Sequence, residues 1–334
     1  MKLVIQICCY NEEESLPETL KALPRKLDRV DEIEVLIIDD GSADGTVKVA
    51  EENGVNHIIS FKRNQGLARS FMAGLNASLK LGADIIVNTD ADNQYNADDI
   101  PQLIQPILDG KADMVIGARP ISRIKHFSPV KKLLQKIGSW LVRKASRTTV
   151  LDAPSGFRAI SRNSALKLNV FNAFTYTHET IIQAGQKNMV VVSIPIRVNE
   201  TASKRPSRLF KSTFSYIIQS VIAILRMVVV YRPFRFFLSL GLIFFFAGAV
   251  FALRYLYIWL TGSGTGHVQS VILAGVLIGI SFQMVLVAFI ADLLGVNRKL
   301  LEEIQYRLRK QELKNDAEAM DKKDDCISKL YSDF

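Results

Sequence analysis

The stretch NTDADNQY follows the apolar run IIV and carries oxygen-bearing side chains at alternate positions, namely Asp90, Asp92 and Gln94. Carboxylate and amide oxygens at this spacing suit a hard divalent cation. Mg²⁺ or Mn²⁺ commonly takes only one or two ligands from protein when phosphates complete its shell. A site of this kind can stabilise the negative charge that grows on a departing diphosphate. A hydrolase with paired carboxylates is the alternative chemistry.

Strands and helices alternate along the first part of the chain. Short apolar runs bounded by turn residues read as strands, among them KLVIQICCY, EVLIID, HIISF, ADIIVNTD and ADMVIGAR. The segments between them read as helices, the first over residues 11–27. This alternation predicts an α/β fold with a mainly parallel, Rossmann-like sheet, in which ligands bind beyond the carboxyl ends of the strands.

Polar motifs occupy three of these strand ends. Tyr10 and Glu12 follow the first strand, Asp39 and Asp40 close the second, and the Asp90 motif closes a later one. Each motif alone has an ordinary explanation as a helix cap, a turn or a solvated loop. Those explanations do not predict that three acidic strand ends converge on one edge of a sheet, so we interpret the set as a binding site.

Positive charge is unevenly distributed along a chain whose formal net charge is +9. Nine Lys or Arg lie between Asp113 and Asp152 with no acid among them, and eight more lie between Glu200 and Asp292. Such segments attract nucleic acid, anionic lipid or phosphorylated substrates. The apolar runs described next favour the membrane, and we expect no nucleic-acid partner.

Two uncharged apolar runs, at residues 236–253 and 271–291, are each long enough to cross a bilayer with their flanks. Lys and Arg precede the first run and follow the second, whereas the loop TGSGTGH has none. The positive-inside rule then predicts an integral protein of the cell (inner) membrane, with the catalytic domain and both termini in the cytosol. Glycines in both runs offer packing surfaces, either within the hairpin or between the subunits of a homo-oligomer.

Four segments follow from these features: a catalytic domain over residues 1–208, a juxtamembrane segment over 209–234, the two spans over 235–292 and a charged tail over 293–334. The juxtamembrane segment is apolar but carries Lys211 and Arg226, which favours amphipathic helices lying on the membrane surface. A third span is the alternative. The tail reads as a solvated helix without a specific role.

Five motifs occur in the order typical of one enzyme family: CYNEEESLPETL, IIDDGSADGT, NQGLARSFMAGL, NTDADNQY and DAPSGFRAISR. Together they resemble the inverting family 2 glycosyltransferases, whose fold is the GT-A fold. With two spans after the catalytic domain, the chain is most similar to the polyprenyl-phosphate branch, the relatives of dolichyl-phosphate mannose synthase. The resemblance implies a nucleotide-sugar donor (UDP- or GDP-sugar), a polyprenyl-phosphate acceptor and a Mg²⁺ or Mn²⁺ cofactor.

The resemblance also implies roles for individual residues. The metal would be held by Asp90, Asp92 and Gln94, and Gln94 matches the amide typical of the dolichyl-phosphate mannose synthase branch. The donor nucleotide would contact Tyr10, Glu12, Asp39, Asp40, Gly66, Asp90 and Ala91, although one of the two adjacent aspartates would instead support the turn. Donor or acceptor phosphate would contact Arg119, Ser155, Arg158, Arg205 and Arg208. Asp152 is the candidate catalytic residue, as a base or to orient the nucleophile, or else a partner for Arg158.

Two departures from the family pattern affect specificity. Leu67 and Ala68 stand where relatives often have Lys and Gly, and the Arg205–Arg208 element contains Pro206 in place of the usual glycine. The Q-x-x-R-W element of processive synthases is missing, which favours a single transfer per acceptor.

Two further functions stay open at the level of sequence. A lipid hydroxyl, as in diacylglycerol or ceramide, would require a real base, whereas a phosphate monoester is largely dianionic at neutral pH and attacks without losing a proton. A non-catalytic membrane scaffold that has kept the fold is the third possibility, and the intact acidic motifs argue against it.

Overall fold

A computed structural model describes residues 1–120, 138–140, 142–144, 146, 148–170, 176–199, 229, 233–261 and 268–332, with side chains up to residue 316. The chain forms two compact units, one of residues 1–220 with 305–334 and one of residues 221–304. The segment for which we predicted amphipathic helices lies outside the described residues, apart from residue 229 and the start of the helix that begins at Pro233.

The first unit contains a mainly parallel sheet, as the sequence predicts. Its strands are β1 (Lys2–Cys9), β2 (Glu32–Asp39), β3 (His57–Ser60), β4 (Ile85–Asp90), β5 (Met114–Ala118), β6 (Arg158–Ser161) and β7 (Val191–Pro195). They lie in the order β3-β2-β1-β4-β6-β5-β7. Only β6 runs antiparallel, to both β4 and β5, and it carries the end of the DAPSGFR motif back into the sheet.

Helices cover the sheet because its central strands are apolar on both faces. They are α1 (Leu16–Ala22), α2 (Thr46–Glu52), α3 (Leu67–Lys80), α4 (Ile100–Leu108), α5 (Arg162–Lys167) and α6 (Thr177–Gln186), with a 3₁₀ turn at Ala97–Asp99. Leu16 and Leu20 of α1 and Leu103 of α4 pack in one core with the inward residues of β1. This packing fixes the strand ends that carry the polar motifs.

Helix α1 is shorter than the predicted range 11–27. It begins at Leu16, with Pro17 in its first turn, and Leu23 after its end is extended with ψ 138°. Pro24 disfavours a helical conformation at Leu23, which ends the helix there. At the other end, Asn11 has a left-handed φ of 56°, so residues 11–15 form a turn beyond β1. This turn belongs to the site described below.

The second unit contains two helices long and apolar enough to cross a bilayer, α7 (Pro233–Leu260) and the first part of α8 (Val268–Ser332). Gly248 of α7 lies so close to α8 that an added Cβ would be 2.9 Å from Cγ1 of Ile278. Gly241 lies against Met284 in the same way, at 3.3 Å. The α7 glycines therefore serve packing within the hairpin, while Gly275 and Gly279 have open space beside them.

The tail departs from the predicted solvated helix, because α8 continues into it and residues 305–316 pack within the first unit. Arg309 donates to the carbonyl of Leu168 at 2.8 Å and to Oδ1 of Asn169 at 2.9 Å. Asn169 also donates to the side chain of Gln305. The backbone N–H of Asn169 in turn donates to Oε1 of Gln183 on α6 at 3.0 Å. Burial lowers the pKa of Arg309, as expected of a charge enclosed by a packed surface.

We predict that Arg309→Gln destabilises the first unit, because it leaves the carbonyl of Leu168 and the Asn169 side chain without their charged donor. A hydrogen bond from a charged group contributes about 1.5–3 kcal/mol, and the melting temperature of the purified protein should fall by several degrees. The control is Lys310→Gln, which removes the same charge from the adjacent, exposed position. Equal melting temperatures for the two variants would contradict a structural role for Arg309.

Candidate active site

The strand register brings the three acidic strand ends together. Cys9 of β1 pairs with Asp39 of β2, and Cys8 pairs with Asp90 of β4 on the other side. The carboxyl ends of β2, β1 and β4 therefore lie side by side at one edge of the sheet. This is the convergence that the alternation of strands and helices predicts.

The turn after β1 is tied to the turn after β2. The backbone N–H groups of Asn11 and Glu12 donate to the hydroxyls of Ser42 and Thr46, and the N–H of Ala43 donates to Oδ1 of Asn11. Tyr10, at the start of this turn, is 42% exposed. The two turns are joined into one wall, on which the Tyr10 ring is partly exposed.

Asp39 and Asp40 both hold the backbone of this wall. The Asp39 carboxylate accepts from the N–H of Ser42 at 3.1 Å and from the hydroxyl of Ser60 at 2.7 Å. The Asp40 carboxylate accepts from the N–H groups of Gln65 and Gly66, at 2.7 and 2.9 Å. Asp39 therefore supports the turn after β2. Asp40 fixes the N-terminus of α3, where Gly66 has the left-handed φ of 94° that favours glycine.

The loop after β4 carries the predicted metal ligands. Oδ1 of Asp92 accepts from the N–H of Gln94 at 3.1 Å, and the carbonyl of Ala91 accepts from the Thr19 hydroxyl at 2.9 Å. Asn93, between the two ligands, has a left-handed φ of 53°. The Gln94 amide oxygen accepts from Nη1 of Arg119 at 3.3 Å. The motif is thus a shaped loop with fixed hydrogen bonds.

Two neighbouring carboxyls make this loop a site of unfavourable negative charge. Burial and the charge of Asp92 raise the pKa of Asp90 to about 7, against the opposing effects of Arg119, the Tyr95 hydroxyl and Arg158. Burial is also the first cause of the raised pKa of Asp92. A bound cation would relieve this repulsion. Two carboxylates and an amide oxygen form a hard-oxygen donor set that fits Mg²⁺ or Mn²⁺ with phosphate completing the shell.

Within the part of the chain that the structure describes, no group of three or more His, Cys, Asp or Glu residues is arranged to hold a metal ion.

Asp152 pairs with Arg119, and not with Arg158 as the sequence suggested. Nε and Nη2 of Arg119 donate to the two Asp152 oxygens at 2.7 and 3.1 Å, and the Arg119 N–H donates at 3.2 Å. Asp152 is 1% exposed. Both of its oxygens accept hydrogen bonds from a permanently charged group, so Asp152 orients Arg119 next to Gln94. This placement does not favour Asp152 as a general base.

Arg158 also departs from its predicted role in binding phosphate. It is 0% exposed, and its donors reach the carbonyls of Ala153, Ser155 and Thr177 and the hydroxyl of Thr180. The hydrogen-bond donors of the Arg158 guanidinium are thus directed at protein groups. Arg158 therefore holds the Asp152–Phe157 loop against α6, while Ser155, also predicted to bind phosphate, is buried within that loop.

Gly156 permits a close approach between this loop and Asp90. A Cβ at Gly156 would lie 2.7 Å from Oδ1 of Asp90 and 3.1 Å from the hydroxyl of Tyr176. The Gly156 N–H donates to the Tyr95 hydroxyl at 2.9 Å, and its carbonyl accepts from Nδ2 of Asn88 at 2.8 Å. The Asp152–Phe157 loop and the loop after β4 are therefore one hydrogen-bonded body.

Three residues of this body were missed in the sequence, namely Asn88, Tyr95 and Tyr176. Asn88 could have been found, because it is an amide inside the apolar run IIVNTD and points into the core, where it accepts from Gln6 at 2.9 Å. Tyr95 and Tyr176 carry no such local signal, since their partners are distant in sequence. Arg205 and Arg208 lie outside the described residues.

Comparison with known proteins adds the family. The model of glycosyl transferase family 2 matches residues 4–171. The chain belongs to this family. The undecaprenyl-phosphate mannosyltransferase of Micrococcus luteus is 30% identical over 207 residues, which cover 59% of this chain and 83% of that protein. The UDP-N-acetylglucosamine–dolichyl-phosphate N-acetylglucosaminyltransferase of Methanococcus voltae is 32% identical over 214 residues, covering 57% and 83%.

Solved structures support the fold of this family 2 glycosyltransferase. Glucosyl-3-phosphoglycerate synthase from Mycobacterium tuberculosis, in complex with Mn²⁺, UDP-glucose and phosphoglyceric acid, superimposes with a TM-score of 0.52 at 20% identity, over 67% of this chain and 79% of that one. The same enzyme bound to UDP superimposes with a TM-score of 0.51. The seven-stranded sheet and its helices are thus those of a GT-A-like fold.

We predict that Gly156→Ala displaces the Asp90 carboxylate, because the new methyl group would overlap it. Overpacking of this kind costs about 1–3 kcal/mol, which should lower the melting temperature. The rate of sugar transfer should fall further than the fraction of folded enzyme, because the displaced carboxylate belongs to the candidate site. Gly138→Ala is the matched control, since a Cβ at that glycine meets nothing within 4 Å. A Gly156→Ala enzyme with unchanged transfer would contradict the close approach.

The raised pKa of Asp90 gives a pH-dependent prediction. An unfolded aspartate has a pKa of about 3.9. Between about pH 4 and pH 7 the folded state therefore holds a proton that the unfolded state releases, and stability falls as the pH rises through this window. Asn at this position does not titrate, so in EDTA Asp90→Asn should melt above the wild type at pH 8. The difference should shrink towards pH 4.

The control for this comparison is Asp28→Asn, at an exposed position away from the site. Its melting temperature should follow the wild type at every pH. A difference between Asp90→Asn and wild type that is constant from pH 4.5 to pH 8 would exclude the proposed repulsion.

Proposed function

We propose that this chain transfers a single sugar from a nucleotide-sugar donor to a polyprenyl phosphate in the cytosolic leaflet, with inversion at the anomeric carbon. The observation that carries the proposal is the oxygen set of Asp90, Asp92 and Gln94 at the sheet edge, in a family 2 chain with two bilayer-length helices. Relatives named as undecaprenyl- and dolichyl-phosphate sugar transferases support it.

Different residues contact the base, the ribose and the diphosphate of the proposed donor. Tyr10 and Glu12 contact the base and ribose, and Asp40 with Gly66 shapes the start of α3 beside them. Asp90, Asp92 and Gln94 hold Mg²⁺ or Mn²⁺, with Ala91 between them in contact with the donor. The cation supplies stabilisation of the charge that develops on the leaving diphosphate. Arg119, held by Asp152, adds a fixed positive charge at the same place.

A phosphate acceptor agrees with the placement of Asp152. Polyprenyl monophosphate is already dianionic near neutral pH and needs positioning more than deprotonation. A lipid hydroxyl would need a general base, and both oxygens of Asp152 already accept hydrogen bonds from Arg119. Arg205 and Arg208, which lie outside the described residues, are proposed to contact phosphate.

The membrane arrangement is part of the proposal. Helices α7 and α8 cross the inner membrane, and the basic flanks keep the catalytic unit and both termini in the cytosol.

Membranes containing the protein, incubated with undecaprenyl phosphate, Mn²⁺ and a panel of radiolabelled UDP- and GDP-sugars, test this function. We expect one donor to yield a labelled lipid that mild acid hydrolyses, as a sugar phosphate does. A labelled lipid that resists mild acid would indicate a hydroxyl acceptor. The absence of both sugar transfer and metal-dependent nucleotide binding with every donor would indicate a scaffold.

We predict that Asp92→Asn lowers transfer by about 100-fold or more, because it removes one charged ligand from the cation. Initial rates over a range of Mn²⁺ concentrations measure the effect. Asp28→Asn, the same change in an exposed loop, should keep wild-type rates. Wild-type transfer by Asp92→Asn would remove this residue from the metal site.

A further inference from the structure

The chain that leaves β7 runs antiparallel to the loop after β4, which carries the proposed metal ligands Asp92 and Gln94. Val198 forms a β-bridge with Tyr95. The Asn199 N–H donates to the carbonyl of Gln94 at 3.0 Å, and the Asn96 N–H donates to the carbonyl of Arg197 at 3.4 Å. The loop that follows Asp90 is therefore paired, on its outer side, with residues more than 100 positions later in the chain.

The Asn199 side chain reaches further into this loop. Its amide nitrogen lies 2.9 Å from the carbonyl of Asn93, 3.2 Å from Oδ1 of Asn93 and 3.4 Å from the carbonyl of Tyr95. One amide group thus gathers three oxygens of the loop. Together with its backbone N–H, Asn199 contacts three consecutive loop residues, Asn93, Gln94 and Tyr95.

Asn93 is the residue whose conformation most needs such support. Its φ of 53° is left-handed, a region that a non-glycine residue occupies at a cost unless its surroundings stabilise it. Asn93 lies between Asp92 and Gln94, so its backbone angles set the relative direction of those two side chains. A right-handed or extended Asn93 would change the relative direction of the Asp92 and Gln94 side chains.

The segment that carries Asn199 is itself fixed. The Arg197 N–H and Nε donate to the two oxygens of Asp99, at 2.6 and 2.8 Å. Asp99 is buried at the N-terminus of α4. Asn199 therefore acts from a position anchored to the core and can hold the loop against it.

We propose that Asn199 is a positioning residue for the divalent cation, and that its side-chain amide keeps Asn93 left-handed so that Asp92 and Gln94 converge. This inference rests on the proposed function for the identity of the metal site. The expected effect of removing the amide is weaker cation binding with the ligands themselves intact.

The test is calorimetric binding of Mn²⁺ with UDP or GDP, whichever the wild type binds, to full-length Asn199→Ala and Asn199→Leu. Leucine keeps the approximate shape of asparagine and removes the hydrogen bonds. We expect the half-saturating Mn²⁺ concentration to rise by about tenfold in both variants, the factor that corresponds to one or two lost hydrogen bonds. Because the ligands remain, excess Mn²⁺ should restore nucleotide binding to Asn199 variants but not to Asp92→Asn.

The control is Asn53→Ala, which loses a comparable bond, from its amide to the carbonyl of Val49 at 2.8 Å, at the end of α2. Its metal requirement should equal that of the wild type. The inference is overturned if Asn199→Ala and wild type need the same Mn²⁺ concentration, or if Asn53→Ala shows the same rise. A wild type without any metal-dependent nucleotide binding would overturn the proposed function itself.

Discussion

Electrostatic repulsion at the end of β4 is the constraint on which the catalytic unit depends. Two carboxyls separated by one residue lie at the edge of a buried sheet, and burial with mutual repulsion raises the pKa of Asp90 to about 7. The protein provides only partial compensation, because Arg119 is shared between Asp152 and Gln94. The site is therefore prepared for an additional positive charge. Hydrogen bonds from the surrounding structure hold these groups in place.

The surrounding hydrogen bonds come from parts of the chain that are far apart. Asn88 and Tyr95 join β4 and the loop after it to Gly156. Arg158 joins the Asp152–Phe157 loop to α6. Asn88, Tyr95 and Arg158 each have hydrogen-bond partners in the backbone, as buried polar groups require. A hydrogen-bonded frame of this kind would let the proposed donor bind without reorganisation of the site, and such preorganisation is a source of electrostatic stabilisation in enzymes.

The sequence predicts the strand ends, because hydrophobic runs of strand length are local signals and parallel register then aligns their ends. It does not predict the partners of charged residues. Asp152 and Arg119 are separated by 33 positions, and nothing near either residue indicates the pair. The motif containing Arg158 suggests an exposed phosphate ligand, yet that guanidinium is enclosed. Local patterns specify elements, whereas pairing depends on the tertiary fold.

The hydrogen bonds between the tail and Asn169 have a consequence for biosynthesis. Arg309 and Gln305, which form hydrogen bonds with Asn169, are translated only after both apolar helices have been translated. The last part of the first unit is therefore translated after the two apolar helices. A chain stalled before residue 305 would lack these hydrogen bonds, which offers quality control a way to distinguish incomplete from complete molecules.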